Sequence, residues 1–374
     1  MDINTTLENY NLKNLTVAVL GSHSALDVCA GAKKLGLTTL VVAEKGREQT
    51  YTKYYLTEGD RGCVDDYIVV DNFKDILSAD VQTELLKQNA IFVPNRSFEV
   101  YVDDYDAIEE QFTVPMFGNR TLLKVEERGV KPNQYDLLQE AGIRFPRVFE
   151  NPKDIDRLCI VKVLEKERSF ERAFFVVSSY KEYEAESAQL IKENVITKDA
   201  LEHAVIEEFI VGSHVNFNFF YSPLTDKLEL MGTDTRRQTN LEGILRLPGE
   251  IQNQILTNHK VQIKYEEAGH IAVTVLESML EAAFALGEKF VQATRKLYPP
   301  GIIGPFALQS IIIPGPPKKD IVVVDVSPRM PGSPGLFATP YSGYLHGETL
   351  SVGERVAMEI SGAAKNKQLD KIIT

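Results

Sequence analysis

The first 118 residues alternate short, almost wholly apolar runs with longer amphipathic stretches, a rhythm that few folds accept. The runs are Leu15–Leu20 (LTVAVL), Thr39–Ala43 (TLVVA), Tyr67–Val70 (YIVV) and Ala90–Val93 (AIFV). Unbroken apolar character over so short a run is the mark of a strand covered on both faces. Ala25–Leu35 and Asn72–Gln88 read as helices between them. Strand, helix, strand in succession implies a parallel sheet with right-handed crossovers. Its ligand edge is expected at the C-terminal ends of the strands.

Beyond this unit the rhythm changes. Arg120–Arg128 and Asn133–Ala141 read as helices, the second stopped by Gly142 and Pro146. Leu158–Leu164 and Ala173–Ser178 form a hairpin pattern, followed by a helix over Lys181–Glu193 and a strand over Ala204–Val211. Val215–Tyr221, Lys227–Asp234, Phe306–Ile313 and Ile321–Val326 read as further strands, with one long helix over Ala272–Leu297 and a turn at Gly315–Lys319. Such contiguous strands predict an antiparallel α+β sheet. With 374 residues the chain is too long for one ordinary domain. The expected division is 1–118, a helical linker over 119–148, a small lobe over 149–211 and a C-terminal lobe over 212–374.

A net charge of -12, with Lys and Arg scattered among acids, argues against a nucleic-acid partner. No apolar stretch approaches the roughly 18 residues that span a bilayer, so no membrane is expected. Met1–Asn14 lacks the basic start and apolar run of a signal peptide. Cys29, Cys63 and Cys159 lack CxxC spacing, which suits a reducing compartment and gives no metal signature. The sequence reads as a soluble cytoplasmic protein acting on small molecules.

Gly21-Ser22-His23-Ser24 follows the first strand directly, and Asn95-Arg96-Ser97 follows the fourth. Both turns fall on the ligand edge, where helix N-termini offer free N–H groups to an anion. His23, Ser24 and Ser97 are therefore candidate substrate-binding residues, although a plain helix cap is the commoner use of a residue like Ser24. No GxGxxG is present, so a dinucleotide fingerprint is not supported. Lys162 stands within the apolar run Ile160-Val161-Lys162-Val163, where a lysine either snorkels to water or meets an anion such as a nucleotide phosphate. Glu207, Glu208, Phe209 and Ile210 end a strand, where backbone groups and a carboxylate can face a purine and ribose.

The strongest pattern lies near the C-terminus. Gln309 is on one strand, and Asp325 is near the end of the next, followed by Ser327, Pro328 and Arg329. One carboxylate and one amide oxygen suffice for Mg2+, which keeps phosphate oxygens and water as its other ligands. Arg329 is placed to balance charge on a transferred phosphoryl group, or to form a surface salt bridge following an edge strand. Pro331-Gly332-Ser333-Pro334-Gly335 follows at once, a loop whose small residues let a phosphate approach. Asn240 lies in the polar stretch Arg236-Arg237-Gln238-Thr239-Asn240, a loop suited either to a phosphorylated substrate or to solvent.

These pieces, in this order, resemble the ATP-grasp superfamily. More narrowly, the chain resembles the archaeal formate-dependent 5-formaminoimidazole-4-carboxamide ribonucleotide synthetase family. The resemblance runs from about Val17 to the C-terminus. Its carriers include Phe117-Gly118-Asn119-Arg120, Ile160-Val161-Lys162 and Val326-Ser327-Pro328-Arg329. The most specific is Pro299-Pro300-Gly301-Ile302-Ile303-Gly304-Pro305-Phe306, continued by Leu308-Gln309-Ser310.

The resemblance implies a mixed α/β and α+β architecture, an ATP-grasp fold preceded by a Rossmann-like domain. It implies a ligase of purine biosynthesis. ATP, formate and 5-aminoimidazole-4-carboxamide ribonucleotide (AICAR) give the formamido product (FAICAR), ADP and phosphate by way of formyl phosphate. Residues matching His23, Ser97 and Asn240 contact the ribonucleotide in that family, and those matching Gln309 and Asp325 hold magnesium, with manganese as the alternative ion. The stretch matching Glu207–Ile210 faces ATP, and Lys162 is expected beside it. A homo-oligomer is implied as well. The chain departs from the family at Glu165–Arg172, which has no glycine where a glycine-rich lid turn is usual, and at Asp325, where Glu is typical. An ATP-grasp ligase for another carboxylate and amine, or a nucleotide-binding relative without catalysis, carries the same features.

Overall fold

The four N-terminal apolar runs pair side by side as parallel strands in the computed structural model, which describes residues 3–127, 129–163, 174–257, 267–315 and 317–374. They are β1 (Thr16–Leu20), β2 (Thr38–Glu44), β3 (Asp66–Val70) and β4 (Ala90–Val93), in the order β3-β2-β1-β4. β1 and β4 are buried throughout, as expected. β3 is an edge strand with Tyr67 and Val69 exposed, so its apolar run does not signify cover on both faces. Helix α1 (Ala25–Lys34) follows β1. The single helix expected after β3 divides into a 3-10 turn, Phe73–Leu77, and α2 (Ala79–Lys87), because the Ser78 side chain accepts from Val81 N and starts a new helix. α3 (Arg96–Val102) begins after β4 on its cap, Asn95.

A 3-10 helix, Arg120–Glu126, and α4 (Gln134–Glu140) form the connection, the latter opened by an Asn133–Asp136 capping box. β5 (Val148–Phe149), β6 (Cys159–Lys162), β7 (Phe174–Val177) and β8 (Val205–Glu208) make an antiparallel sheet in the order β5-β8-β6-β7, backed by α5 (Tyr180–Lys192). The expected β6–β7 hairpin pairing is present. The glycine-free stretch Glu165–Arg172 lies outside the described residues, as does position 316 of the expected turn at 315–319.

The third sheet is antiparallel, in the order β11-β10-β9-β12-β13. Its strands are β9 (Ser213–Ser222), β10 (Lys227–Gln238), β11 (Glu267–Ala272), β12 (Gly304–Ile313) and β13 (Asp320–Ser327). Two expectations are corrected here. The long helix, α7 (Leu280–Leu297), starts later than Ala272, because Ile271, Val273, Thr274 and Val275 favour extended backbone and β11 pairs with β10. Asn240 does not lie in a loop: it falls in α6 (Thr239–Leu245), and its side chain is outside the described residues.

Alternation along β9 gives this sheet two unlike faces. Val215, Phe217, Phe219 and Tyr221 join the core under α7, where Phe290 stacks on Phe306 at 5.2 Å and Phe306 on Phe219 at 5.3 Å. Phe220 points the other way, into a core shared with β1, β2 and β4. Asn216 and Asn218 leave β9 on that same side. The last helix, α8 (Val352–Asn366), packs on α1 so closely that a Cβ on Gly31 would lie 2.2 Å from the Glu354 nitrogen. Thr374 exchanges backbone hydrogen bonds with Met116, so the chain end lies against the first sheet's unit.

Candidate active site

β12 and β13 bring Gln309 and Asp325 into register as opposed residues. Opposed side chains leave a sheet on the same face, with Cβ atoms about 5 Å apart. Gln309 Nε2 donates to Ser327 Oγ at 3.1 Å, which leaves the amide oxygen for a cation. Among the described residues no group of three or more His, Cys, Asp or Glu is able to hold a metal by itself. The donor set therefore fits a hard cation that draws its remaining oxygens from phosphates and water.

The strand-end turns of the first sheet pack against the loop that follows β13. Gly21 is required where β1 ends, since a Cβ would lie 2.8 Å from the Tyr51 ring. His23 and Ser24 follow in left-handed backbone, φ 28° and 68°. Ser24 occupies the N-cap position of α1 but makes no capping bond; its hydroxyl donates to Pro331 O instead. Asn95 Nδ2 donates to Leu20 O and Ser22 O, and Asn95 forms a parallel bridge with Met330. Ser97 is buried in the first turn of α3. The His23 ring reaches solvent, yet partial enclosure, and next the charge of Arg329, lower its pKa below the usual imidazole value. Its nearest charged surroundings include Glu267, His270 and Arg236.

Arg329 is brought to the site but is not a bare cation. It is buried, donating from Nε to Glu99 at 2.9 Å and from Nη2 to Glu126 at 3.1 Å. Arg96 reaches the same two carboxylates at 3.0 and 2.8 Å. Burial on its own would lower Arg329, but Glu126 and Glu99 outweigh it and keep the guanidinium charged. Glu126 is pushed well above the usual carboxylate range by burial, against the pull of Arg329, with Glu99 and Asp325 adding repulsion. The salt bridge expected at the surface is instead largely buried, a quartet with only Arg96 partly exposed that joins α3, the 3-10 helix and the segment after β13.

Lys162 meets an anion, though one from the protein. Its ammonium pairs with Glu207 on the neighbouring strand β8, and the Tyr135 hydroxyl donates to the other Glu207 oxygen at 2.5 Å. The adjacent Gln134 accepts from Val326 N at 2.9 Å, so two consecutive residues of α4 tie β8 to β13, the strand that carries Asp325. Glu208 lies on the opposite face of β8, its N–H given to Arg147 O, while the Phe209 N–H goes to Leu158 O. Phe209 is exposed and Ile210 buried.

The row through Asp325 and Gln309 continues across the sheet: Gln309 opposes Asn216, and Asn216 opposes Asp234. These last two, with Asn218 and His270, were not singled out from the sequence. Asp234 accepts from Asn216 at 3.0 Å and Asn218 at 2.7 Å, and bonds His270 Nδ1. His270 Nε2 meets Glu267 at 2.8 Å. Burial would lower His270, but Asp234 and Glu267 overcome it and raise the pKa to about 9. The polar–apolar alternation His214-Val215-Asn216-Phe217-Asn218-Phe219 carried a signal for the amides. His270 sat just ahead of an extended stretch read as helix.

Comparison with solved structures places this arrangement. The IMP biosynthesis protein PurP from Thermococcus kodakaraensis matches with a TM-score of 0.69 and 28% identity over 96% of this chain and 100% of that one. The fold is shared more distantly with N5-carboxyaminoimidazole synthetase from Staphylococcus aureus complexed with ADP, at TM-score 0.56 and 13% identity over 95% of this chain and 79% of that one. Fold and site together define an ATP-grasp ligase. Two family models match, a protein of unknown function (DUF1246) over residues 17–149 and a domain of unknown function (DUF1297) over 182–374. The 5-formaminoimidazole-4-carboxamide-1-(beta)-D-ribofuranosyl 5'-monophosphate synthetase of Methanothermobacter thermautotrophicus is 39% identical over 98% of this chain and 97% of its own length. Its counterpart in Methanocaldococcus jannaschii is 38% identical over the same shares. The chain belongs to this synthetase family, the PurP family.

Proposed function

We propose that this chain joins formate to the amino group of AICAR, giving FAICAR at the expense of ATP. The observation that carries the reading is the opposed pair Gln309 and Asp325, with the His23 turn packed on the Pro331–Ser333 loop that follows β13. Synthetases of this name cover nearly the whole chain, which supports the substrate assignment. A formate oxygen attacks the γ-phosphorus and ADP leaves; the amino nitrogen then attacks the formyl carbon, phosphate leaves, and the amine gives up its proton. No protein nucleophile is required.

Gln309 and Asp325 would hold the divalent cation, magnesium or its substitute manganese, whose charge offsets that of the phosphates. His23, uncharged near neutrality because its pKa is lowered, hydrogen-bonds the ribonucleotide rather than acting as a cation, with Ser97 and Asn240 as further contacts. Ser24 holds the turn that presents it. Lys162 serves the ATP phosphates from its place beside Glu207, and Glu208, Phe209 and Ile210 border the nucleotide. Arg329 positions the strand end through Glu99 and Glu126 and supports the transferring phosphate from behind. A cytoplasmic homo-oligomer acting on small molecules, away from nucleic acid and membranes, completes the proposal; no described helix is long and apolar enough to cross a bilayer.

A phosphate-release assay tests this. Turnover of ATP should require formate and AICAR together, and the product should be one formyl group heavier than AICAR. Phosphate release only with a different carboxylate and amine would reject the substrate assignment.

A further inference from the structure

We propose that Tyr135 is a positioning residue for ATP: its hydroxyl fixes the Glu207 carboxylate, and through it the ammonium of Lys162, where the nucleotide phosphates bind. The proposal rests on the reading that Lys162 serves ATP. In the antiparallel pair β6–β8, Ile160 opposes Glu207 and Lys162 opposes Val205, so Lys162 and Glu207 are diagonal neighbours on one face. Val148, opposite Glu207, and Val176, opposite Ile160, stand on that same face, and both are exposed. The core of this lobe, with Val161 and Ile206, lies on the other face. The ion pair is thus set in an open apolar wall, which suits a flat base with its phosphates beyond it.

On this wall the two charged side chains are not equally placed. The Lys162 side chain is 22% exposed and that of Glu207 only 3%. The carboxylate is the inner member and the ammonium the outer one. Each carboxylate oxygen meets a donor, Lys162 on Oε2 and the Tyr135 hydroxyl on Oε1. A carboxyl group turns easily about its last bond, whose torsion has a broad minimum. With Oε1 held by the phenol, the ammonium is kept to the Oε2 side instead of bridging both oxygens. Tyr135 is itself fixed from the direction of β13. It lies in the first turn of α4 with its ring 5.7 Å from that of Phe145. It follows Gln134, which is 1% exposed and accepts from Val326 N, next to Asp325. One helical turn therefore sets Lys162 relative to the strand that carries Asp325, and a triphosphate reaching from one to the other needs that spacing kept.

The test is the dissociation constant of ATP, measured by calorimetric titration with Mg2+ and without formate or AICAR, beside an unfolding curve for each variant. Tyr135→Phe keeps the ring on Phe145 and removes only the hydroxyl. It should weaken ATP about tenfold, the loss of one hydrogen bond to a charged group. Added to Lys162→Met, it should weaken ATP no further than Lys162→Met alone, because the hydroxyl then has no ammonium to direct. The same comparison in Lys162→Met with Glu207→Gln, where no buried charge is left alone, gives the answer if the first double variant does not fold. Wild-type ATP affinity in Tyr135→Phe with a lowered unfolding midpoint would overturn the proposal and leave Tyr135 a stabilising contact. A further tenfold loss in the Lys162→Met background would overturn it too, since the hydroxyl would then act without Lys162. Unchanged ATP affinity in Lys162→Met would instead remove the reading of Lys162 on which it stands.

Discussion

The Ser24 hydroxyl donates a 2.5 Å hydrogen bond to the carbonyl of Pro331, fastening the turn after the first parallel strand to the loop after the last antiparallel one. The neighbouring His23 ring lies against Gly332, where a Cβ would sit 2.1 Å from its Cε1. The His23–Ser24 turn and the loop that follows β13 are therefore one packed unit. Left-handed backbone at both His23 and Ser24 costs roughly 1 kcal/mol or more for each residue, and this contact helps to hold it.

If His23 binds the ribonucleotide, His23→Ala raises the KM for AICAR about tenfold, the loss of roughly one good hydrogen bond, with a smaller change in kcat. Steady-state kinetics with AICAR varied at saturating ATP and formate check this. An unchanged KM would make His23 a turn residue only. Gly332→Ala should be at least as harmful, since its methyl group displaces the ring.

Removing Arg329 strips one of two cations from a buried pair of carboxylates. Breaking such a group from one side costs about 3–5 kcal/mol. Arg329→Ala should therefore lower the denaturant midpoint markedly, and Arg329→Lys less so. A residue serving catalysis alone would leave the midpoint unmoved.

Lys162→Met leaves the Glu207 carboxylate, nearly fully buried, with Tyr135 but without its cation. Stability should drop, and Glu207→Gln in the same chain should recover part of it. Thermal unfolding of the two variants checks the pairing. ATP affinity should fall in both, because neither restores the cation offered to the phosphates.

His270 gives a pH signature. Its pKa is raised from 6.5 unfolded to about 9 folded, so its contribution is fully present below about pH 6.5 and is lost as pH rises through about 9. The wild type should lose roughly 1–3 kcal/mol of stability over that window. His270→Gln should show a flatter profile there, as measured by chemical denaturation at a series of pH values.

Much of this site was legible because strands announce themselves by period and turns by composition. β1, β4, β12 and β13 fall close to their expected places; His23 and Ser97 follow the ends of β1 and β4, Asp325 lies near the end of β13, and Gln309 is mid-strand in β12. What escaped depends on contacts between segments far apart in sequence. Glu99 and Glu126 look like ordinary helical surface acids until Arg329 arrives from β13. Ser24 resembles a helix cap until Pro331 claims its hydroxyl. β11 hid behind the helical pattern of α7, and His270 with it.

Asp325 carries the account, as the one carboxylate assigned to the cation. Asp325→Asn nearly preserves shape while removing that charge, so turnover of ATP with formate and AICAR is best measured in this variant beside its unfolding curve. The expected result is an intact cooperative transition with FAICAR formation reduced at least about a thousandfold, the loss of a full transition-state charge contact. Near wild-type turnover in the folded variant would contradict the placement of the metal between β12 and β13.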